Sequence, residues 1–204
     1  MGFEVFGLHS PLDTLAFTLY SRCVIGFLRF VGIMNAAIWF GAAVFFTFGV
    51  GPAAFSPEME NLLKVKPPLP FRYFAGGIAQ ILIARYFRVQ LVCGIIALFH
   101  LLAERLYSGK SPHKFAVGLL ALLLSITLVG NLWIQPRLKQ LHTIRYAVTS
   151  TPETREAATQ SFRAWHSVSQ AINLLMLGGL AFYLWRVANP PDSTRFLITP
   201  KFRG

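Results

Sequence analysis

Residues 30–57 contain no Asp, Glu, Lys or Arg, a run of 28 uncharged positions in a chain of 204. A helix crosses the bilayer core in roughly 20 apolar residues, so this run is long enough for one span. Residues 115–136 and 164–185 repeat the pattern with 22 uncharged positions each. The window between Arg88 and Glu104 is shorter, at 15 positions, but the uncharged residues 73–84 precede it. One helix crosses there if Arg85 and Arg88 extend their heads to the interface. Four spans are expected, near residues 30–50, 76–106, 115–135 and 165–185. Composition agrees: charged residues are 13% of the chain, about half the usual share. That is too little charge for the surface of a soluble globule, and the chain is too apolar for disorder.

The connections carry the expected turn chemistry. The first span is expected to end at Gly49-Val50-Gly51-Pro52, and the Pro-rich stretch from Lys64 to Pro70 is expected to be non-helical. Ser108-Gly109-Lys110-Ser111-Pro112 is short enough to make the second and third spans antiparallel neighbours. Pro136 is expected at the bilayer edge, followed by a polar stretch to Thr149. Ser150-Thr151-Pro152-Glu153 reads as a capping box that starts a helix running into the fourth span. Ser10-Pro11-Leu12-Asp13 suggests the cap of a short interfacial helix ahead of the first span. The N-terminus lacks the early basic residues of a signal peptide. A tail beginning at Asn189-Pro190-Pro191 is expected to be extended, and no internal repeat is apparent.

The formal charge of +11 raises the possibility of a nucleic-acid partner, but the basic residues are spread over every loop instead of one face. Anionic lipid headgroups are the simpler partner. Counting Lys and Arg gives 9 on one side of the membrane and 10 on the other, so the positive-inside rule leaves orientation open. Two cysteines, Cys23 and Cys93, are too few for a disulfide framework or a thiolate centre.

Polar residues within spans are costly unless they face a partner or a cavity. At about 100° per residue, Gln90, Cys93, Ala97, His100 and Glu104 share a stripe on the second span. Thr127, Asn131 and Gln135 do so on the third, and His166, Ser169, Gln170 and Asn173 on the fourth. The first offers Asn35, with Trp39 and Ala42 near the same side. Four such stripes make a bundle. His100 and His166 fall at opposite membrane faces, about 12 residues or on the order of 18 Å apart in depth, so one haem or metal does not join them. His9, His113 and His142 are expected in loops without ligand-type neighbours. No acid pair, phosphate loop or nucleophile elbow is present, and Ser169 with His166 has no orienting carboxylate nearby. The expectation is a non-enzymatic protein with no metal, no cofactor and no nucleic-acid partner.

One membrane face collects polar groups from all four spans: Thr47, Arg88, Gln90, Asn131, Gln135, Arg137, His166, Ser169 and Asn173. Of these, Arg88, Asn131, Gln135, Arg137, His166, Ser169 and Asn173 are the candidate residues for binding a ligand or lipid headgroup. Arg137 is expected to anchor this mouth through charge-assisted bonds to His166, Ser169 and Asn173 or to a lipid phosphate. The alternative is that these groups satisfy one another.

Several segments in order carry a resemblance: Trp39-Phe40-Gly41 through Thr47-Phe48-Gly49-Val50-Gly51-Pro52, Tyr86-Phe87 with Cys93, and Asn131-Leu132-Trp133-Ile134-Gln135-Pro136-Arg137. Phe162 to His166, Ser169 and Asn173-Leu174 complete it. Over residues 28–187 the chain resembles the transmembrane protein 205-like family, most specifically in Trp-x-x-Pro-Arg and His-x-x-Ser-x-x-x-Asn. The resemblance implies a four-span integral membrane protein with no established enzymatic activity. It also implies an animal relative associated with drug resistance and vesicle trafficking.

The expected fold is all-α: an integral membrane four-helix bundle at residues 28–187, with an interfacial helix within 1–27, a helical extension of the fourth span and an extended tail at 188–204. The expected role is an accessory or structural subunit of the bacterial cytoplasmic membrane, packing with other membrane subunits and lipids. The absence of charge inside the spans favours this role, since transport usually places charged or broken helices near the midplane. The alternative is a protein that binds a small ligand, lipid headgroup or metal in support of transport or efflux.

Overall fold

A computed structural model describes residues 11–63, 70–108 and 114–189. Helix α1 (Pro11–Phe45) passes through a π turn (Phe46–Val50) into a last turn, α2 (Gly51–Ala53), and a short α3 (Pro57–Leu63) follows. Next come α4 (Phe71–Ser108), α5 (Lys114–Val129), a second π turn (Gly130–Ile134), α6 (Gln135–Tyr146) and α7 (Pro152–Ala188). The described residues contain no strand. Four rods are long and apolar enough to cross a membrane: Cys23–Ala53, Phe71–Tyr107, Lys114–Tyr146 and Pro152–Ala188. The chain is a four-span α-helical bundle.

Neighbouring rods are antiparallel. α1 packs on α4 and α7, and α5 packs on the same two, so the order around the bundle is α1, α4, α5, α7, while α6 continues down the side of α7. Contact across either diagonal is slight. One half of the bundle is closed, with Ala36, Trp39, Ala43, Cys93, Ala97, Leu120, Leu123, Leu180 and Tyr183 forming a single buried cluster. Small residues let the backbones approach there. A β-carbon on Gly94 would lie 2.4 Å from Leu124 Cδ2, so that side chain uses the space a larger residue would need. Trp39 meets Tyr183 edge-on at 6.0 Å, and Asn35 Nδ2 donates to the Cys93 carbonyl across α1 and α4 at 2.9 Å.

Several local expectations are corrected. A helix does start at Pro11, after Ser10, but α1 continues from there into the first span without a break. The first rod ends at Ala53, close to the expected Gly49 to Pro52, but it passes through a π turn on the way, and the third helix does not end at Pro136. The amides of Gly51 and Gln135 instead reach back five residues to the carbonyls of Phe46 and Gly130. Each donor directly precedes a proline, Pro52 or Pro136. A proline inside a helix lacks the N–H and collides with the carbonyl four residues back. The wider π turn moves that carbonyl aside, and each proline then sits in the first turn of the next helical segment, where it is tolerated. The two devices share one spacing, six residues from the start of the π turn to the proline. They occupy the two rods that run in the same direction, a local correspondence between the halves where no repeat was apparent.

The start of α7 also differs in detail. Thr151, not Ser150, is the cap: its Oγ1 accepts from the Thr154 amide at 3.3 Å, and Pro152 opens the helix. Ser150 instead donates to the Ile144 carbonyl at 2.8 Å, and Arg155 donates to the carbonyls of Ala147 and Val148. Together these hold the tight α6–α7 turn. Asn189 closes the far end of α7 by donating to the Trp185 carbonyl. The expected loops at 64–69 and 109–113, the extended tail beyond Asn189, and His9 and His113 lie outside the described residues.

Candidate functional site

Below the closed half the bundle is hollow. A cavity of about 490 Å³ is lined by the two π turns, the first half of α4, the α5–α6 junction and the middle of α7. Both π turns face it, through Phe46, Thr47 and Val50 on one side and Gly130 and Ile134 on the other. Such turns widen a helix locally and recur at functional sites. Gly130 matters sterically, because a β-carbon there would lie 2.7 Å from the Phe87 ring that packs against it.

The inner end is polar but almost fully self-satisfied. Tyr86 donates its hydroxyl to Asn173 Oδ1 at 3.4 Å, bridging the α4–α7 diagonal. Asn173 Nδ2 donates to Thr47 Oγ1 at 2.7 Å, and Thr47 passes its own proton to the Ala43 carbonyl. Thr127 is buried and returns its hydroxyl to the Leu123 carbonyl. Gln90, 1% exposed, is the exception. Its Oε1 accepts from the Trp39 indole, while its Nε2 meets no acceptor at full hydrogen-bond geometry, is itself closed off from the cavity and has the Tyr86 side chain as its polar neighbour.

The outer end is an aromatic rim. His142 is 7% exposed and stacks on Tyr73 at 5.6 Å, with Tyr146 and Phe162 alongside. Its Nε2 is unpartnered and points into the notch left by Gly76, where a β-carbon would lie 2.3 Å away. His166 stacks on Phe162 at 5.9 Å. Such rings suit the membrane–water boundary.

Of the seven candidate residues, Gln135, His166, Ser169 and Asn173 line the cavity, as do Thr47 and Gln90. Arg88, Asn131 and Arg137 lie outside its lining. Arg88 is exposed on the outer face of α4 and Asn131 is half-buried. Arg137 is exposed and donates to Gln140 Oε1 on its own helix at 3.0 Å. It does not anchor the mouth through His166, Ser169 or Asn173. Continuing the helix past Pro136 places it on an exposed part of α6, where its partner is Gln140. The same continuation brought in His142, which had been placed in a loop. No residue from 137 to 146 breaks a helix, and Leu138, Leu141, His142 and Arg145 follow helical spacing. On the first span Ala43 is buried and Ala42 half-buried. Glu104 is exposed, while His100 packs over Gly32 at the opposite end of the bundle from His166.

Four spans surrounding a lateral hollow define a multi-pass helical membrane protein. Residues 34–147, more than half of the chain, match the family described as Domain of unknown function (DUF4149), and the chain belongs to that family. The match runs from within α1 to the end of α6 and takes in three of the four rods around the cavity. No curated protein and no solved structure matches the chain.

Proposed function

We propose that this protein is a non-enzymatic membrane protein that binds a small apolar molecule in the hollow half of its bundle, in support of transport or efflux. The observation that carries the proposal is the 490 Å³ cavity itself, walled mainly by apolar side chains with Thr47, Gln90, Ser169 and Asn173 among them. Ligand pockets are mainly apolar with a few placed polar groups. A subunit that only packs against others needs no such hollow, so the geometry weighs against the accessory role suggested by the lack of internal charge. Paired Gly/Pro interruptions at matching places in two halves are also the pattern that marks binding sites in transporters. The resemblance to the transmembrane protein 205-like family, with a bacterial cytoplasmic membrane as the setting and lipids as neighbours, fits this reading. Purification in mild detergent, followed by extraction and mass spectrometry of whatever remains bound, tests it. One small apolar molecule per chain is the expected result, and stoichiometric protein partners with an empty bundle would point to the accessory role.

A further inference from the structure

The cavity is a slot. Its lining runs from Gly76 to Gln90 on α4 and from Phe162 to Met176 on α7, and 14 residues at 1.5 Å of rise make each of these about 21 Å long. The uncharged windows 115–136 and 164–185 are centred near Ile126 and Leu175. The inner end, at Asn173 and Met176, therefore lies near the midplane, and the aromatic rim lies at headgroup level. None of the lining residues at the rim, Gly76, Leu138, His142 and Phe162, is exposed. Rings crowd this end, with Tyr73, Tyr146 and Phe162 packed around His142.

The exposed lining residues gather instead around the point where the α1 rod stops. They are Pro52 and Phe55 at its end, Leu82 on α4, and His166 and Gln170 on α7. Their depth follows from the Thr47–Asn173 bond, which sets those two residues level with each other near the midplane. Counting helical rise from there puts Gln170 about 5 Å, Pro52 about 8 Å and His166 about 11 Å towards the rim. The same count from Tyr86, which meets Asn173, puts Leu82 at about 6 Å. Half of the hydrocarbon core is about 15 Å thick, so this opening faces acyl chains and not water. Among the described residues, α3 adds nothing to the lining.

The chemistry of the wall changes along the slot. At the inner end Thr47, Tyr86, Thr127 and Asn173 bond to one another or to backbone carbonyls, and the Gln90 amide is closed off. That end asks only for hydrocarbon. No Lys, Arg, Asp or Glu lines the cavity, and an unpaired charge is costly to bury, so an ionic headgroup stays outside. At the opening, His166 and Gln170 present polar groups at a depth where lipid gives them no partner, an arrangement that is costly unless something polar meets them.

Building on the ligand-binding reading above, we infer that the slot takes one acyl chain of a glycerolipid from the adjacent leaflet, entering sideways past Phe55, Leu82 and Gln170. The chain runs inside the slot, its ester group meets His166 and Gln170 at the opening, and the headgroup remains outside the bundle.

The test places full-length protein in phosphatidylcholine vesicles with one of two probes: phosphatidylcholine carrying a diazirine at the end of one acyl chain, or hexadecane carrying the same group. After illumination, peptide mass spectrometry locates the adducts. Thr127 and Met176 line the slot and are buried, so they report its interior, whereas Leu132 and Leu174 are exposed, lie outside the lining and report the surrounding lipid. The expected result is labelling of Thr127 and Met176 by the phospholipid probe, together with Leu132 and Leu174. In Gln170→Trp, at an exposed position where bulk disturbs no packing, the interior adducts are lost and the outward ones persist. Interior labelling that survives Gln170→Trp undiminished overturns the sideways entry. Interior labelling by the hexadecane probe alone overturns the glycerolipid inference and leaves the cavity reading intact. If neither probe labels the interior and no small molecule is retained on purification, the cavity reading falls and the inference with it. The wild-type pattern decides the occupant even if Gln170→Trp fails to fold.

Discussion

The two halves of this bundle use the same four helices in opposite ways. Around Trp39 the helices meet through Ala36, Ala43, Gly94, Ala97 and Gly179, and large side chains from neighbouring helices fill what those small residues leave. Around Asn173 two rods are widened by π turns ahead of Pro52 and Pro136, Tyr86 and Asn173 bridge α4 and α7 across the gap, and a slot remains. In a membrane, where lipid is as apolar as the helix surfaces, close packing is the main source of association. The closed half therefore carries the stability of the bundle, leaving the hollow half free to be shaped for a guest.

The largest effect is expected in the closed half. Trp39→Ala removes a fully buried indole and its edge-on contact with Tyr183, and leaves Gln90 Oε1 unpaired. The expected loss is about 3–5 kcal/mol, read as thermal unfolding in detergent. Phe162→Ala at the cavity rim, where the ring already borders open space, should cost clearly less. Equal losses would mean that the two halves are not energetically distinct.

A glycine pair sharpens the comparison at the next level. Gly94→Ala drives a β-carbon into Leu124, with Trp39 Cη2 at 3.3 Å behind it. Leu124 Cδ2 must shift against close neighbours, an overpacking cost of about 1–3 kcal/mol, so after the roughly 1 kcal/mol gained in helix propensity a net loss of about 0–2 kcal/mol is expected. At Gly76 the obstacle is the His142 ring, which borders the cavity and has room to swing. Its displacement is offset by the roughly 1 kcal/mol gained in helix propensity on replacing Gly by Ala, so Gly76→Ala should leave the melting temperature near wild type. Its signature is a changed His142 ring environment by NMR.

The sequence is uneven in what it reveals, for physical reasons. Spans are legible because excluding charge from hydrocarbon is a strong, local requirement: the windows at 115–136 and 164–185 fall within rods, and the window at 30–57 overruns its rod, which ends at Ala53, by four residues. The stripe of Gln90, Cys93 and Ala97 is legible because helical periodicity is rigid over two turns, and all three are buried. The passage of a helix through proline is not, because Pro136 is accommodated by an adjustment of hydrogen-bond register that leaves no compositional trace. That one misreading put His142 in a loop and aimed Arg137 at the mouth. Arg88 rests on depth alone, which without azimuth does not tell a lining residue from an outward one, and Asn131, grouped with Thr127 and Gln135 by helical spacing, lies inside the π turn Gly130–Ile134, where that spacing changes.

A smaller effect is expected where the hollow half holds itself together. Asn173→Ala deletes both the bond to Thr47 and the Tyr86 bridge across the diagonal. Interhelical hydrogen bonds within membranes average about 0.6 kcal/mol and reach about 1.7, and the 3.4 Å Tyr86 contact is a weak one. A modest fall in melting temperature is expected. A loss as large as that of Trp39→Ala would show the hollow half to be a second core.

Ser169→Leu should have the smallest effect on stability and the clearest effect on occupancy. Ser169 sits half-buried on the α7 wall of the slot. Leucine is the better helix former by a few tenths of a kcal/mol, and its added methyl groups enter empty volume instead of a packed neighbour, so no overpacking cost arises. The net change should stay within about 0.5 kcal/mol of wild type. In the closed half the same increase in volume would be penalised as at Gly94. The extra bulk, however, lies about 10 Å above Met176 by helical rise, midway along the path between the rim and Gln90. Retained lipid or bound probe should therefore be lost at unchanged melting temperature. If Ser169→Leu melts like wild type and keeps its full complement of bound molecule, the guest sits elsewhere, and the slot is only space that the π turns leave behind.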